Sequence, residues 1–448
     1  MATAAILKEF EASDGVYLYS SDNGKLIKIS HSLYRIMRAL NQNFDINNIC
    51  DKSYLKKFDL ENTTESEILE AYTQIEKSGF LAKRSTKEKH VFNRLILMIA
   101  QDCNLACSYC FGNEGTYYKK GVMSFEIAKK AVDYMVENSP ANKLYITFFG
   151  GEPLLYFSKL EDIVSYCREI ERKLNKEFYF SITTNGTLID DKVTNFFLKE
   201  KVKVQVSIDG NREMHDYNRK YKSGRGSYDD IILSTERIIK EASVLGKATI
   251  SMKNINIVEL FEHLYSLGFS SVPMTVAFSE LEEEDYPVLA LKMEEFVSHI
   301  YDLIKKMEFD KVRKISRTFN LLKMIHLAFV KGTLCGAGSS MRAVDIFGNV
   351  YPCHRLISEG EVFLMGNINF YVDEKKFENI AKTKPKCQEC WIKGFCVGGC
   401  PATNHYLTGD YNIAPNYFCQ YQRKYLEELF LLYIRLNSTE KKALFNHK

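Results

Sequence analysis

The sequence predicts an α/β protein built on a parallel sheet, with a small domain before it and a cysteine-rich domain after it. Three observations predict this. Between residues 93 and 277, buried-type strands alternate six times with amphipathic helices, and such alternation requires parallel strands joined by helical crossovers. Residues 1–90 show a hairpin followed by helices instead. Of the 12 cysteines, three form a tight run, seven crowd into the last quarter, and only Cys50 and Cys167 stand apart. A chain of 448 residues exceeds one ordinary core, and the expected boundaries are 1–90, 91–330 and 331–448.

In the first segment, strands are expected at 16–19 and 26–29 around Asp22-Asn23-Gly24, because Asn-Gly between apolar runs is a strong hairpin signal. A helix over 32–40 places Leu33, Ile36, Met37 and Leu40 on one stripe. Another opens at the capping box Thr64-Glu65-Ser66-Glu67, carries Ile68, Tyr72 and Ile75 on one face, and stops at Gly79. The polar, basic stretch 83–90 reads as a linker. The alternating region then runs through strand 95–100, helix 126–137, strand 144–149, helix 158–174, strand 178–183, helix 192–200 and strand 202–208. Helix 228–241, strand 248–252, helix 257–267 and strand 271–277 complete it. Six such units form a partial or full barrel, or a doubly wound sheet. The candidate functional residues follow strand ends, the face where parallel α/β folds place their sites. Helices over 288–307 and 312–330 bridge to the tail, and a helix over 420–436 closes the chain. Cys50 and Cys167 read as buried small hydrophobes. The acidic run 280–285 reads as a solvated loop, or as one that gates the barrel mouth or meets basic substrate residues, and Lys247, at the start of the fifth strand, as a solvated residue or one near the site.

Composition narrows the function. The net charge of +3 offers no general footprint for nucleic acid or anionic membrane. Residues 1–90 hold 13 basic and 13 acidic side chains, which argues against a DNA-binding winged helix. No apolar run approaches the length that spans a bilayer, and the start of the chain lacks an apolar signal core. A cytoplasmic protein with no nucleic-acid or membrane partner is expected, its cysteines serving as metal ligands or reduced thiols.

The cysteines carry the chemistry. Cys103, Cys107 and Cys110 form a C-x3-C-x2-C run on the loop after the first parallel strand. A cubane iron–sulfur cluster takes one further ligand on each of its four irons, so three cysteines leave one iron open. The seven later cysteines supply one set of four and one of three. The count therefore suggests three 4Fe–4S clusters. The tail has little apolar content of its own and needs metal to fold stably.

The segment Asp102-Cys103-Asn104-Leu105-Ala106-Cys107-Ser108-Tyr109-Cys110-Phe111, with Gly150-Gly151-Glu152-Pro153 after the next strand, resembles the radical S-adenosylmethionine (radical SAM) superfamily. The resemblance implies a partial (β/α)6 barrel in which S-adenosylmethionine chelates the open iron and is cleaved to a 5′-deoxyadenosyl radical. It implies that Gly150, Gly151 and Glu152 serve the cofactor's ammonium. Ser207 and Asp209 match the ribose-contacting region, Thr184 and Asn185 face the site, and Arg219 is a partner for the cofactor carboxylate.

The tail, Cys387-x2-Cys390-x5-Cys396-x3-Cys400 with Cys419, preceded by Cys335 and Gly348-x4-Cys353, resembles the SPASM extension of radical SAM peptide maturases. The resemblance implies that Cys387, Cys390, Cys396 and Cys419 hold a distal auxiliary cluster and that Cys335, Cys353 and Cys400 hold a nearer one with an open iron. Anaerobic sulfatase-maturing relatives carry an Asp base after the position of Cys353. Here it is His354, the candidate catalytic base. The N-terminal segment resembles the winged-helix-like recognition element of such maturases, where a leader peptide adds as a strand.

The expected activity is a sulfur-to-carbon thioether crosslink between a Cys and an acceptor residue of a ribosomally made precursor peptide, with leader and Cys-containing core. The expected electron donor is a flavodoxin or ferredoxin. The alternatives are carbon–carbon crosslinking, sulfatase-type maturation, and a zinc-stabilised peptide-binding module.

Overall fold

The computed structural model describes residues 6–42, 45–82 and 91–446. The linker expected at 83–90 lies outside them. Six strands pair in parallel and in chain order: Arg94–Gln101, Lys143–Gly150, Glu177–Thr184, Lys203–Ser207, Leu245–Ile250 and Met274–Val276. An order without a switch is the winding of a barrel wall, not of a doubly wound sheet. Among the described residues no pairing joins the sixth strand to the first, so the barrel is partial. Instead Met341–Val344 pairs in parallel with the first strand and turns back antiparallel through Asn349–Tyr351. The cysteine-rich tail thus begins as an extension of the barrel sheet.

Hydrophobic burial drives this assembly. The first strand is buried on both faces, Leu95, Leu97 and Ile99 being fully enclosed, as a parallel strand covered on both sides requires. Helix Phe125–Asn138 packs Ala128, Ala131, Val132 and Met135 against the sheet, and Ser124 caps it by accepting from the Ile127 N–H. Residues with parallel-strand neighbours therefore reach their C-terminal ends on one rim, where the loops carrying Cys103, Gly150, Asn185 and Asp209 meet.

The N-terminal residues form a three-stranded antiparallel sheet, Leu7–Ala12, Gly15–Ser20 and Leu26–Ile29, with helices His31–Asn41 and Glu65–Ser78. The expected hairpin and capping box are present, and Gly79 ends the second helix with φ 59°. This unit has its own core, including Leu18, Ile29, Ile36, Met37 and Ile68. Its other face docks on the tail. Phe10 stacks on Phe430 at 4.9 Å, Tyr19 meets Trp391 and Phe430, and Asp22 pairs with Lys393 at 2.6 Å.

Several expectations need correction. Strand Leu7–Ala12 was not expected, because Lys8, Glu9 and Glu11 mask its alternation. The single helix over 312–330 is two, Phe309–Lys314 and Ser316–His326. The Lys314 carbonyl accepts instead from the Val272 N–H at 2.8 Å, so the sheet takes the bond that helix continuity needs. The fifth strand ends at Ile250, because the Ser251 N–H donates to Asn254 Oδ1 at 2.6 Å and begins a turn. Cys50 is exposed, since the short turn before the Asp51 helix cap brings it to the surface; Cys167 is buried as expected. Residue 285 belongs to helix Asp285–Lys305 rather than to a loop. No helix among the described residues is long and apolar enough to cross a membrane.

Candidate cofactor site and cysteine sets

None of the 12 cysteines forms a disulfide. Cys103, Cys107 and Cys110 lie within electrostatic reach of one another beyond the first strand. Burial pushes the Cys103 thiol up to about 12 and that of Cys107 to about 11, so these sulfurs become thiolates only against added positive charge, as a metal supplies. The loop is pinned from both ends. Cys107 pairs antiparallel with Arg219 in the small sheet Leu105–Cys107 and Arg219–Tyr221. Asn185 donates from Nδ2 to Asn104 Oδ1 at 2.8 Å and lies 3.9 Å from Cys103 Sγ.

Gly150 and Gly151 are required by sterics. Gly150 has φ 142°, and a Cβ there would lie 2.1 Å from the Ala100 carbonyl oxygen; one on Gly151 would lie 2.1 Å from that of Asp102. Only glycine allows this approach, and it leaves a bare backbone cradle beside the cysteine loop. The next residue, Glu152, is fully buried. Its carboxylate accepts from the Leu154 N–H at 3.0 Å, the Thr184 hydroxyl at 2.8 Å and the Asn185 N–H at 2.6 Å. Burial nevertheless raises it to about 7. Glu152, Thr184 and Asn185 are therefore one network tying the second and third strand ends to the cysteine loop.

Asp209 and Arg219 form a second network. Asp209 is fully buried and accepts from Arg219 Nε at 3.0 Å, the Thr249 N–H at 2.8 Å and the Tyr109 hydroxyl. Arg219 Nη1 lies 3.8 Å from Cys107 Sγ. The Arg219 ion pair is thus buried, not a surface contact. Ser207, in register with Lys247, is buried at the end of the fourth strand. Lys247 is half-buried rather than fully solvated, and burial, with Arg219 and Arg355 nearby, lowers it to about 8. Tyr109 lay inside the cysteine run without a recognised role, and only the fold reveals its bond to Asp209.

The later cysteines fall into two groups in space. Cys335, Cys353 and Cys400 influence one another, and Cys387, Cys390, Cys396 and Cys419 line a second cavity of about 220 Å³. His354 connects the nearer set to the barrel: its ring centroid is 4.2 Å from that of Phe149 and 5.9 Å from that of Phe111, which follows Cys110. Its Nδ1 is 3.6 Å from Cys353 Sγ, and burial lowers it to about 3. Arg355, which sequence reading missed, donates to Thr403 Oγ1 at 3.0 Å and lies 3.5 Å from Cys400 Sγ. Among the described residues no three His, Cys, Asp or Glu side chains close on a single ion; a cubane instead spreads its ligands over separate irons. Grouped reduced thiols in sets of three, three and four, with a glycine cradle beside the first, fit iron–sulfur ligation.

Residues 97–285 match the model of the radical SAM superfamily. An uncharacterised protein of Methanocaldococcus jannaschii is 31% identical over 305 residues, covering 68% of this chain and 96% of that protein. The chain belongs to the radical SAM superfamily. It is also similar to the cysteine-type anaerobic sulfatase-maturating enzyme of Clostridium perfringens (strain 13), at 26% identity over 369 residues, 75% of this chain and 95% of the relative. The fold matches a solved structure of native anSMEcpe with bound AdoMet and Cp18Cys peptide, with TM-score 0.64 and 24% identity, over 77% of this chain and 98% of that one. Membership makes the chain a radical SAM enzyme and implies a 4Fe–4S cluster and S-adenosylmethionine. Such chemistry suits the cysteine loop and glycine cradle of this barrel.

Proposed function

We propose that this radical SAM enzyme modifies a ribosomally made precursor peptide by joining a cysteine sulfur to a carbon of an acceptor residue. The carrying observation is the nearer auxiliary set. Three cysteines lie within electrostatic reach of one another there, and the adjoining His354 and Arg355 lie near Lys247 of the fifth strand. Three ligands leave room for a fourth thiolate, and the substrate cysteine would be that ligand.

In this reading Cys103, Cys107 and Cys110 hold the cluster that binds S-adenosylmethionine, and the two tail sets hold auxiliary 4Fe–4S clusters. When bound and reduced by a flavodoxin or ferredoxin, the cofactor pair supplies the 5′-deoxyadenosyl radical that removes one hydrogen atom from the peptide. Gly150 and Gly151 present their backbone to the cofactor's ammonium, and Glu152, Thr184 and Asn185 hold that cradle in place. Ser207, Asp209 and Arg219 order the opposite wall. His354, beside Cys353, is the candidate acceptor of the thiol proton, a role that requires the charge of the bound thiolate to offset the burial that lowers its basicity. Sulfur–carbon bond formation removes two hydrogens from the peptide: one leaves as a hydrogen atom to the deoxyadenosyl radical, the other as the thiol proton, and the remaining electron would pass to an auxiliary cluster. Residues 1–90 would hold the leader as an added strand on Leu26–Ile29, the edge of the N-terminal sheet.

The test is anaerobic co-expression with a short cysteine-containing peptide encoded nearby, read by mass spectrometry and thiol alkylation. Loss of two hydrogens with the thiol blocked supports the thioether. Loss of two hydrogens with a free thiol means carbon–carbon bonding and refutes it. The Clostridium perfringens relative favours a second reading, oxidation of a sulfatase cysteine to formylglycine; loss of the substrate's sulfur would identify that. A colourless preparation with stoichiometric zinc would point to a binding module instead.

A further inference from the structure

A cavity of about 460 Å³ adjoins both auxiliary cysteine sets without being either, since Cys396 and Cys400 border it but the other tail cysteines do not. Its walls are the sixth barrel strand, helix Ser316–His326, the segment from Phe395 to Thr403, and helix Asn416–Arg435, which a last short helix, Ser438–Phe445, follows. Three cationic side chains line it, Arg317, Lys331 and Arg355, and no Asp or Glu does. Arg317 forms no ion pair with any described residue. Arg355 spends its donors on Cys400 and Thr403, not on a carboxylate. Gln422 is 8% exposed, and its amide has no hydrogen-bond partner among the described residues. Helix Ser316–His326 also begins here without a side-chain cap.

The Gln422 amide atoms remain reachable from the cavity, and Arg317, itself an exposed residue, offers a planar fork that matches a carboxylate. Apolar side chains such as Phe278, Phe395 and Phe418 complete the walls, which suits a peptide better than a free inorganic ion.

We propose that this cavity binds a carboxylate of the peptide substrate next to its reacting cysteine, with Arg317 as the ion-pair partner and Gln422 as a hydrogen-bond donor. It rests on the peptide-modifying reading and adds to it a preference for acidic peptides. A peptide whose cysteine reached Cys400 and Arg355 would pass through this space, so a neighbouring Asp or Glu would lie within its walls. A chain-terminal carboxylate offers the same chemistry.

The probes are three fluorescein-labelled peptides with one Cys. One carries flanking Glu and an amidated C-terminus, one carries Gln in the same positions with the amide, and one carries Gln with a free C-terminus. Each is titrated anaerobically, by fluorescence anisotropy, into the iron-loaded full chain and its Arg317→Gln and Arg317→Lys variants. The Glu peptide should bind about tenfold more tightly than its amidated Gln counterpart, the scale of one charge-assisted contact. Arg317→Gln should abolish the difference at unchanged iron content, and Arg317→Lys should keep part of it. Tight binding of the free-terminus peptide alone, lost in Arg317→Gln, would support carboxylate capture and assign it to the chain end. Equal binding of all three, a preference that survives Arg317→Gln, or no binding of either carboxylate peptide would overturn the proposal. The peptide-modifying reading is judged separately by the mass change of the co-expressed peptide, which does not depend on these affinities.

Discussion

Replacing Glu152 with Gln tests whether the buried carboxylate is the knot of the cofactor rim. In the native chain one oxygen accepts from Leu154 N–H and the Thr184 hydroxyl, and the other accepts from Asn185 N–H. Gln offers one acceptor and one donor. In its better orientation the amide nitrogen faces the Asn185 N–H, leaving a buried donor unsatisfied at a cost of about 1–3 kcal/mol. Glu152 itself carries an opposing penalty, because burial raises it to about 7 from an ordinary 4.5. An acid raised on folding is most favourable below its unfolded value, where both states are protonated. Stability is then lost as pH rises from about 4.5 to about 7, by roughly 3 kcal/mol at 1.36 kcal/mol per unit. The Gln variant has no such loss. It should therefore be clearly less stable than the native chain near pH 5, and the gap should close or reverse near pH 8. Anaerobic urea denaturation without added S-adenosylmethionine, followed by near-UV circular dichroism at both pH values, measures this. A gap that widens with pH, or equal stability throughout, would refute the reasoning.

Other outcomes follow from the same geometry. Arg219→Gln leaves Asp209 buried without its ion partner and should cost about 3–5 kcal/mol in urea denaturation, with part recovered by adding Asp209→Asn. Asp22→Asn severs the pair with Lys393, whose side chains are 9% and 19% exposed; hydrogen exchange should then quicken in strand Gly15–Ser20 and around Trp391, by about tenfold for a loss of about 1.4 kcal/mol. The proposed cluster sets require about twelve irons per chain, and the variant with Cys103, Cys107 and Cys110 all changed to Ala should keep about eight. That variant should also lose any S-adenosylmethionine-dependent change in the electron paramagnetic resonance spectrum. His354→Gln should slow peptide modification about a hundredfold while iron content stays constant, if the imidazole takes the thiol proton.

Local pattern was enough where a residue's role is set by its chain neighbours. The six strand–helix alternations, the capping box at Thr64, the hairpin at Asn23-Gly24 and the cysteine spacings could all be read directly, because turn chemistry, apolar period and ligand spacing are short-range properties. The cysteine count suggested sets of three and seven, but the division of the seven rested on a family resemblance, because Cys335, Cys353 and Cys400 lie far apart in the sequence. The break at Ile315 could not be read, because it depends on the Val272 N–H taking the Lys314 carbonyl across the fold. Strand Leu7–Ala12 owes its place to Phe10 packing on Phe430 near the other end of the chain. Only tertiary structure placed Tyr109 on Asp209, set Lys247 near Arg219 and Arg355, and gathered Arg317, Arg355 and Gln422 around one cavity. Those contacts join residues distant in sequence, and the desolvation and charge that define them arise only when the strand ends, the bridging helices and the tail close on one another.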